Sequence, residues 1–95
     1  MAITVVTMGL VGIEMPRQVE VEPDRAQGFT LRELLFEQLV RYDANLPGIL
    51  VDARGEFKSE YAILVDGRNA TQVGGLSMSI KDGTTILITA MVSGG

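Results

Sequence analysis

The sequence predicts an α+β domain: one helix laid across one face of a mixed four- to five-stranded sheet, in the order strand, strand, helix, strand, short strand, strand. Three observations carry that prediction. Thr30-Leu31-Arg32-Glu33 is a helix start, the two most apolar runs stand near opposite ends of the chain, and Asp66-Gly67 closes a compact apolar run as a hairpin turn. Because the first and last runs are apolar on both alternating faces, they belong side by side in the middle of the sheet. The helix supplies the crossover that lets them run parallel, with the first hairpin and the strand at Tyr61 outside them.

Taken in order, Ala2 to Val11 is rich in Val, Ile and Thr and reads as a strand, with Gly9 and Gly12 allowing a bend at its end. Pro16 to Glu22 alternates, Val19 and Val21 inward against Gln18, Glu20 and Glu22 outward, as an edge strand does. At Thr30 the hydroxyl and the Glu33 carboxylate can satisfy each other's backbone donors, and Phe29 with Leu34 can form the accompanying hydrophobic staple. Leu31, Leu34, Leu35, Leu39 and Tyr42 then recur at helical spacing, Glu37 and Arg41 stand one turn apart for a surface ion pair, and Asn45 with Pro47-Gly48 ends the helix. Ile49 to Glu60 is turn-prone and predicts no regular element. Tyr61 to Val65 is an apolar strand, Arg68 to Val73 its short return, and Leu76, Met78 and Ile80 are spaced to point inward before the last strand.

Length and composition bound the function. Ninety-five residues make a single domain, 1–95, with one modest core. No apolar run approaches a bilayer span and no leader pattern is present, so a cytoplasmic protein without a membrane partner is expected. Cysteine and histidine are both absent, which removes thiolate metal sites, the commonest general base and the usual partner of a catalytic serine. An enzyme is therefore not expected, nor a bound metal. A formal net charge of −4, with lysine only at Lys58 and Lys81, argues against nucleic acid. It fits an electropositive protein partner or simple solubility equally well.

The last strand, Thr85 to Met91, leads through Val92 and Ser93 into Gly94-Gly95. Two residues without a Cβ let a terminal carboxylate enter a channel too narrow for side chains. Small residues also gather at chain ends without purpose, and the tail by itself leaves both readings open.

The order of elements, with Val65-Asp66-Gly67-Arg68-Asn69, then Gly75-Leu76 through Ile80-Lys81-Asp82-Gly83, then Ile86-Leu87-Ile88 and the two final glycines, resembles the β-grasp, ubiquitin-like sulfur-carrier family. That family includes the small subunit of molybdopterin synthase, the sulfur carrier of thiamin synthesis and a carrier in one route to cysteine. The resemblance spans the whole chain and implies a β-grasp fold, ββαββ(β), with a flexible tail at about 92–95. It implies that the Gly95 carboxylate, next to Gly94, is adenylated by a ubiquitin-activating-like adenylyltransferase using ATP and converted to a thiocarboxylate. The sulfur would pass to a synthase resembling the molybdopterin synthase large subunit, with no cofactor held by the carrier itself. Length and Gly67-Arg68-Asn69 lean toward the molybdopterin type, whereas Ile88 to Ser93 lacks the prolines that many relatives carry, which keeps a tungsten-cofactor pathway and the cysteine route open, with thiamin synthesis a further alternative.

For a carrier, the sheet face beside the last strand should dock partners through Met91, Val92 and Ser93, with Val73 and Arg68 contributing; methionine suits a surface that meets more than one enzyme. Arg68 serves equally as a solubilising turn residue, and Leu64 reads as core. The rival class is a ubiquitin-like interaction or modifier domain whose terminus does no sulfur chemistry. A carboxylate enzyme built on Asp52, Glu56 and Glu60 is a weaker fit than a solvated loop.

Overall fold

A computed structural model describes residues 2–10, 12–25 and 27–91. The sheet has five strands, β1 (Ile3–Met8), β2 (Gln18–Val21), β3 (Tyr61–Val65), β4 (Arg68–Asn69) and β5 (Thr85–Ala90), in spatial order β2-β1-β5-β3-β4. β1 and β5 are parallel and central, Val5 opposite Ile86 and Thr7 opposite Ile88, while β2 and β3 run antiparallel outside them. This is the arrangement expected from the two doubly apolar runs. One face of the sheet carries Ile3, Val5, Val19, Val21, Ile63, Val65, Ile86 and Ile88, all buried in a single core cluster beneath the helix.

The helix, α1 (residues 31–41), begins where its cap predicts. The Glu33 N–H donates to Thr30 Oγ1 at 3.2 Å and the Thr30 N–H to Glu33 Oε1 at 3.3 Å, so both halves of the capping box form. Phe29 and Leu34, the pair expected to staple the entry, are both buried in the core. Arg25 braces the cap from outside through its guanidinium on Glu33, which holds the Glu33 carboxyl below its usual range; the bond from the Thr30 backbone lowers it further.

Beyond the cap the helix changes pitch. An α turn at Leu31–Glu33 gives way to a π-helical stretch at Leu34–Gln38 and a 3-10 turn at Leu39–Arg41. A π turn takes in one residue more than an α turn, so everything after it lags by about 100°. That lag corrects two expectations. Leu39 is carried into the core with Leu31, Leu34 and Leu35, and Tyr42, expected in the same stripe, is left 39% exposed. Glu37 and Arg41, expected as an ion pair, are not bridged among the described residues, because the regular spacing on which the pair depends is gone.

Three further boundaries differ from expectation. Pro47-Gly48 does not end the main helix but lies inside a second one, α2 (Leu46–Leu50), where proline near the start costs no hydrogen bond. The main helix instead stops before Asp43, a buried carboxylate that accepts from the Glu14 and Asn45 N–H groups, each at 2.9 Å. The return strand expected over Arg68 to Val73 covers only Arg68–Asn69, since the Asn69 side chain caps a 3-10 turn at Ala70–Gln72. The first strand stops at Met8, where Gly9 takes φ +71°; Val11 lies outside the described residues. At the hairpin, Asp66 and Gly67 take φ +49° and +86°, the paired left-handed geometry of a tight two-residue turn.

Candidate functional site

The candidate site is the end of β5 and the sheet face turned away from α1. At that end β5 is held from the β3 side. Ala90 is opposite Tyr61, and the Met91 N–H donates to the Glu60 carbonyl at 2.8 Å. On the β1 side the ladder ends with Met8 opposite Thr89, and Gly9 lies in ordinary contact range of Ala90. Met91 itself is therefore tied to the sheet. Val92, Ser93, Gly94 and Gly95, predicted as docking and acyl residues, lie outside the described residues.

The open face follows from strand alternation. With Ile86 and Ile88 buried, Leu87 and Thr89 face away from the helix, as do Val6 and Met8 of β1 and Ala62 and Leu64 of β3. Register sets them in rows: Val6, Leu87 and Leu64 lie side by side, and Met8, Thr89 and Ala62 form the next row toward Met91. Met8 is 57% and Met91 54% exposed, so two methionines flank the root of the tail. Acidic groups stand at the other end of this face: Glu20 accepts from the Thr4 hydroxyl at 3.0 Å, and Asp66 accepts from the Thr85 N–H at 2.9 Å.

The predicted docking residues separate into two groups. Met91 lines a shallow depression with Tyr61, Ala62, Asn69 and Thr71. Arg68 and Val73 share a different groove, with Val65, Asp66 and Met78. Arg68 is opposite Val65, which is opposite Ile86, so it stands at the far end of β5 from Met91, about 16 Å along the strand. Leu64, expected in the core, is on the open face instead. Strand β3 is apolar at every position, and composition alone cannot say which alternate set the helix covers. Val6, Met8 and Leu87 were missed for a related reason: each reads as strand interior until the β1–β5 register is known. The Asp52 carboxylate accepts from the Arg54 and Glu56 N–H groups at 2.9 and 3.0 Å, and the bond from Glu56, then that from Arg54, lowers its pKa. It is committed to shaping its loop.

Comparison with known proteins places this architecture. No protein-family model matches the chain. No curated protein sequence matches it either. Solved structures do. Urm1 of Trypanosoma brucei superposes with a TM-score of 0.77 at 25% identity, covering 99% of this chain and 95% of that one. SAMP1 of Haloferax volcanii gives 0.72 at 20% identity, over 99% of both chains. A chain of the BexX/CysO complex of Amycolatopsis orientalis gives 0.70 at 22% identity, over 99% of this chain and all of that one. The likeness drawn from sequence stands: the chain has the β-grasp, ubiquitin-like fold over its whole described length.

Proposed function

We propose that the protein is a sulfur carrier whose reactive group is the Gly95 carboxylate. In this reading an ATP-dependent activating enzyme, of the type that activates ubiquitin, joins a carboxylate oxygen to the α-phosphorus of ATP and pyrophosphate leaves. Hydrosulfide supplied by a partner then attacks the carbonyl, the C–O bond to AMP breaks and AMP departs, and loss of the thiol proton leaves a thiocarboxylate. Activation is needed because a free carboxylate is a poor acyl electrophile. The carrier contributes the acyl group and a docking face, and the partner contributes ATP binding and catalysis. A chain without Cys or His suits that division, since it holds neither a thiol nor an imidazole to attack the activated carbonyl.

The observation that carries this reading is the anchoring of β5. A central strand, clamped at Met91 to the Glu60 carbonyl, leads directly to Val92-Ser93-Gly94-Gly95. The open face beside it offers Val6, Leu87 and Leu64 for docking, with Met8 and Met91 at the exit. The resemblance at Gly67-Arg68-Asn69 favours molybdopterin synthesis as the pathway, with a synthase large subunit as acceptor; thiamin and cysteine synthesis are the alternative routes. A second reading, attachment to proteins, uses the same adenylate with a lysine amine in place of sulfur. The fold it shares with the small archaeal modifier protein 1 of Methanosarcina acetivorans, at a TM-score of 0.69, favours keeping it.

Intact-mass analysis after incubation with ATP, a sulfur source and host lysate separates the readings. Exchange of one oxygen for sulfur, abolished by deletion of Gly95 with the melting temperature retained, supports the carrier. Adducts on larger proteins without that exchange support the modifier. An unchanged mass beside an active control carrier sinks both.

A further inference from the structure

We infer that the free edge of β2 docks an extended, basic segment of a partner protein, one that alternates cationic and apolar side chains. The Thr7 N–H donates to the Arg17 carbonyl at 2.8 Å, which fixes the phase of the β1–β2 ladder. Val19 and Val21 therefore turn their backbone groups toward β1, and Gln18 and Glu20 turn theirs outward. No described residue pairs with those outward groups. The opposite margin of the sheet differs: β4 is two residues long and passes at once into a 3-10 turn. Of the two edges among the described residues, β2 is the one that offers an added strand a template.

Side chains select what that strand is. On the open side of the sheet the edge carries Gln18 and Glu20, with Glu22 following, and all three are exposed. A second copy pairing antiparallel along β2 would set these acids against one another, which is destabilising, whereas a cation opposite Glu20 is stabilised. A groove of about 380 Å³ runs between β2 and the end of α1, lined by Glu20, Val21, Glu22, Gln38, Arg41 and Tyr42. Glu20 and Glu22 outnumber Arg41 in that lining, and Val21 with the half-exposed Tyr42 ring offers apolar surface. Because side chains of an added strand point to the two sides in turn, its cations meet Glu20 and Glu22 while its apolar residues pack on Val21 and Tyr42. This site uses nothing of Gly95, so it stands or falls separately from the proposed sulfur chemistry.

The probe is a synthetic hexapeptide alternating lysine and valine, titrated into the full ¹⁵N-labelled chain, with its glutamate–valine counterpart as control. Amide shifts centred on Gln18 and Glu20, weakened by salt, are expected from the lysine peptide alone. Gln18→Pro removes an outward N–H without touching a ladder bond and should weaken binding about fivefold at unchanged melting temperature. Glu20→Lys should reverse the preference to the glutamate peptide, which keeps the test informative if the proline variant misfolds. Shifts centred on Leu87 and Leu64, equal binding of both peptides, or edge-to-edge dimerisation through β2 would each overturn the inference.

Discussion

Neighbouring residues of β5 belong to two different surfaces. Ile86 and Ile88 are wholly buried beneath α1, among Ile3, Val5, Ile63 and Val65. Leu87 and Thr89, one step along the same backbone, face the other way in rows with Val6, Leu64, Met8 and Ala62. The buried set is fixed by packing, because any change there leaves a void or a clash. The open set is under no such constraint, so its apolar character calls for an explanation in what it meets. One strand thus holds the fold together with half its side chains and presents a surface with the other half.

The contrast should appear most strongly in Ile88→Ala. Emptying that position should cost about 2–5 kcal/mol in denaturant unfolding; a loss no larger than for an exposed residue would mean that the helix does not cover this row. Thr30→Ala, which removes the cap seating α1 on the buried face, should cost about 1 kcal/mol by the same measurement. On the open face, Leu87→Ser should stay within about 1 kcal/mol of the parent protein. Under the proposed function it should instead raise the KM of the activating enzyme for the carrier, so an unchanged KM would remove this face from docking.

The smallest effect expected is on the pH dependence. Arg25, and next the Thr30 backbone, hold the Glu33 carboxyl below its ordinary value. A depressed folded-state value means that the contribution is complete above the unfolded-state value and is lost as pH falls through the lower, folded one. Glu33→Gln should therefore flatten the acid limb of a melting-temperature profile while leaving its alkaline side parallel to the parent. Exposure and salt screening keep this difference small.

What the sequence disclosed follows the same division. Val19 against Glu20 in β2, the Thr30 box and the Asp66-Gly67 turn each carry their own local chemistry, and each formed as read. Pairing β1 with β5 was legible because both runs are apolar on two faces. The π-helical turn was not, since Leu34, Leu35 and Leu39 are compatible with a regular helix until the sheet demands all three at once. The same holds for Leu64, whose direction depends on which side of β3 the helix covers. Of the candidate site, Met91 could be placed from sequence; its companions Val6, Met8 and Leu87 required the register.

The parallel pairing of β1 with β5 also orders events in time. Residues 3 to 65 can be complete as polypeptide and still lack the strand that lies between β1 and β3. Pairing Thr4 with Thr85 and Val5 with Ile86 joins stretches far apart in sequence, and non-local pairing of this kind slows folding. Docking of β5 completes the sheet and the buried row of Ile86 and Ile88 together, and the same step positions Met91.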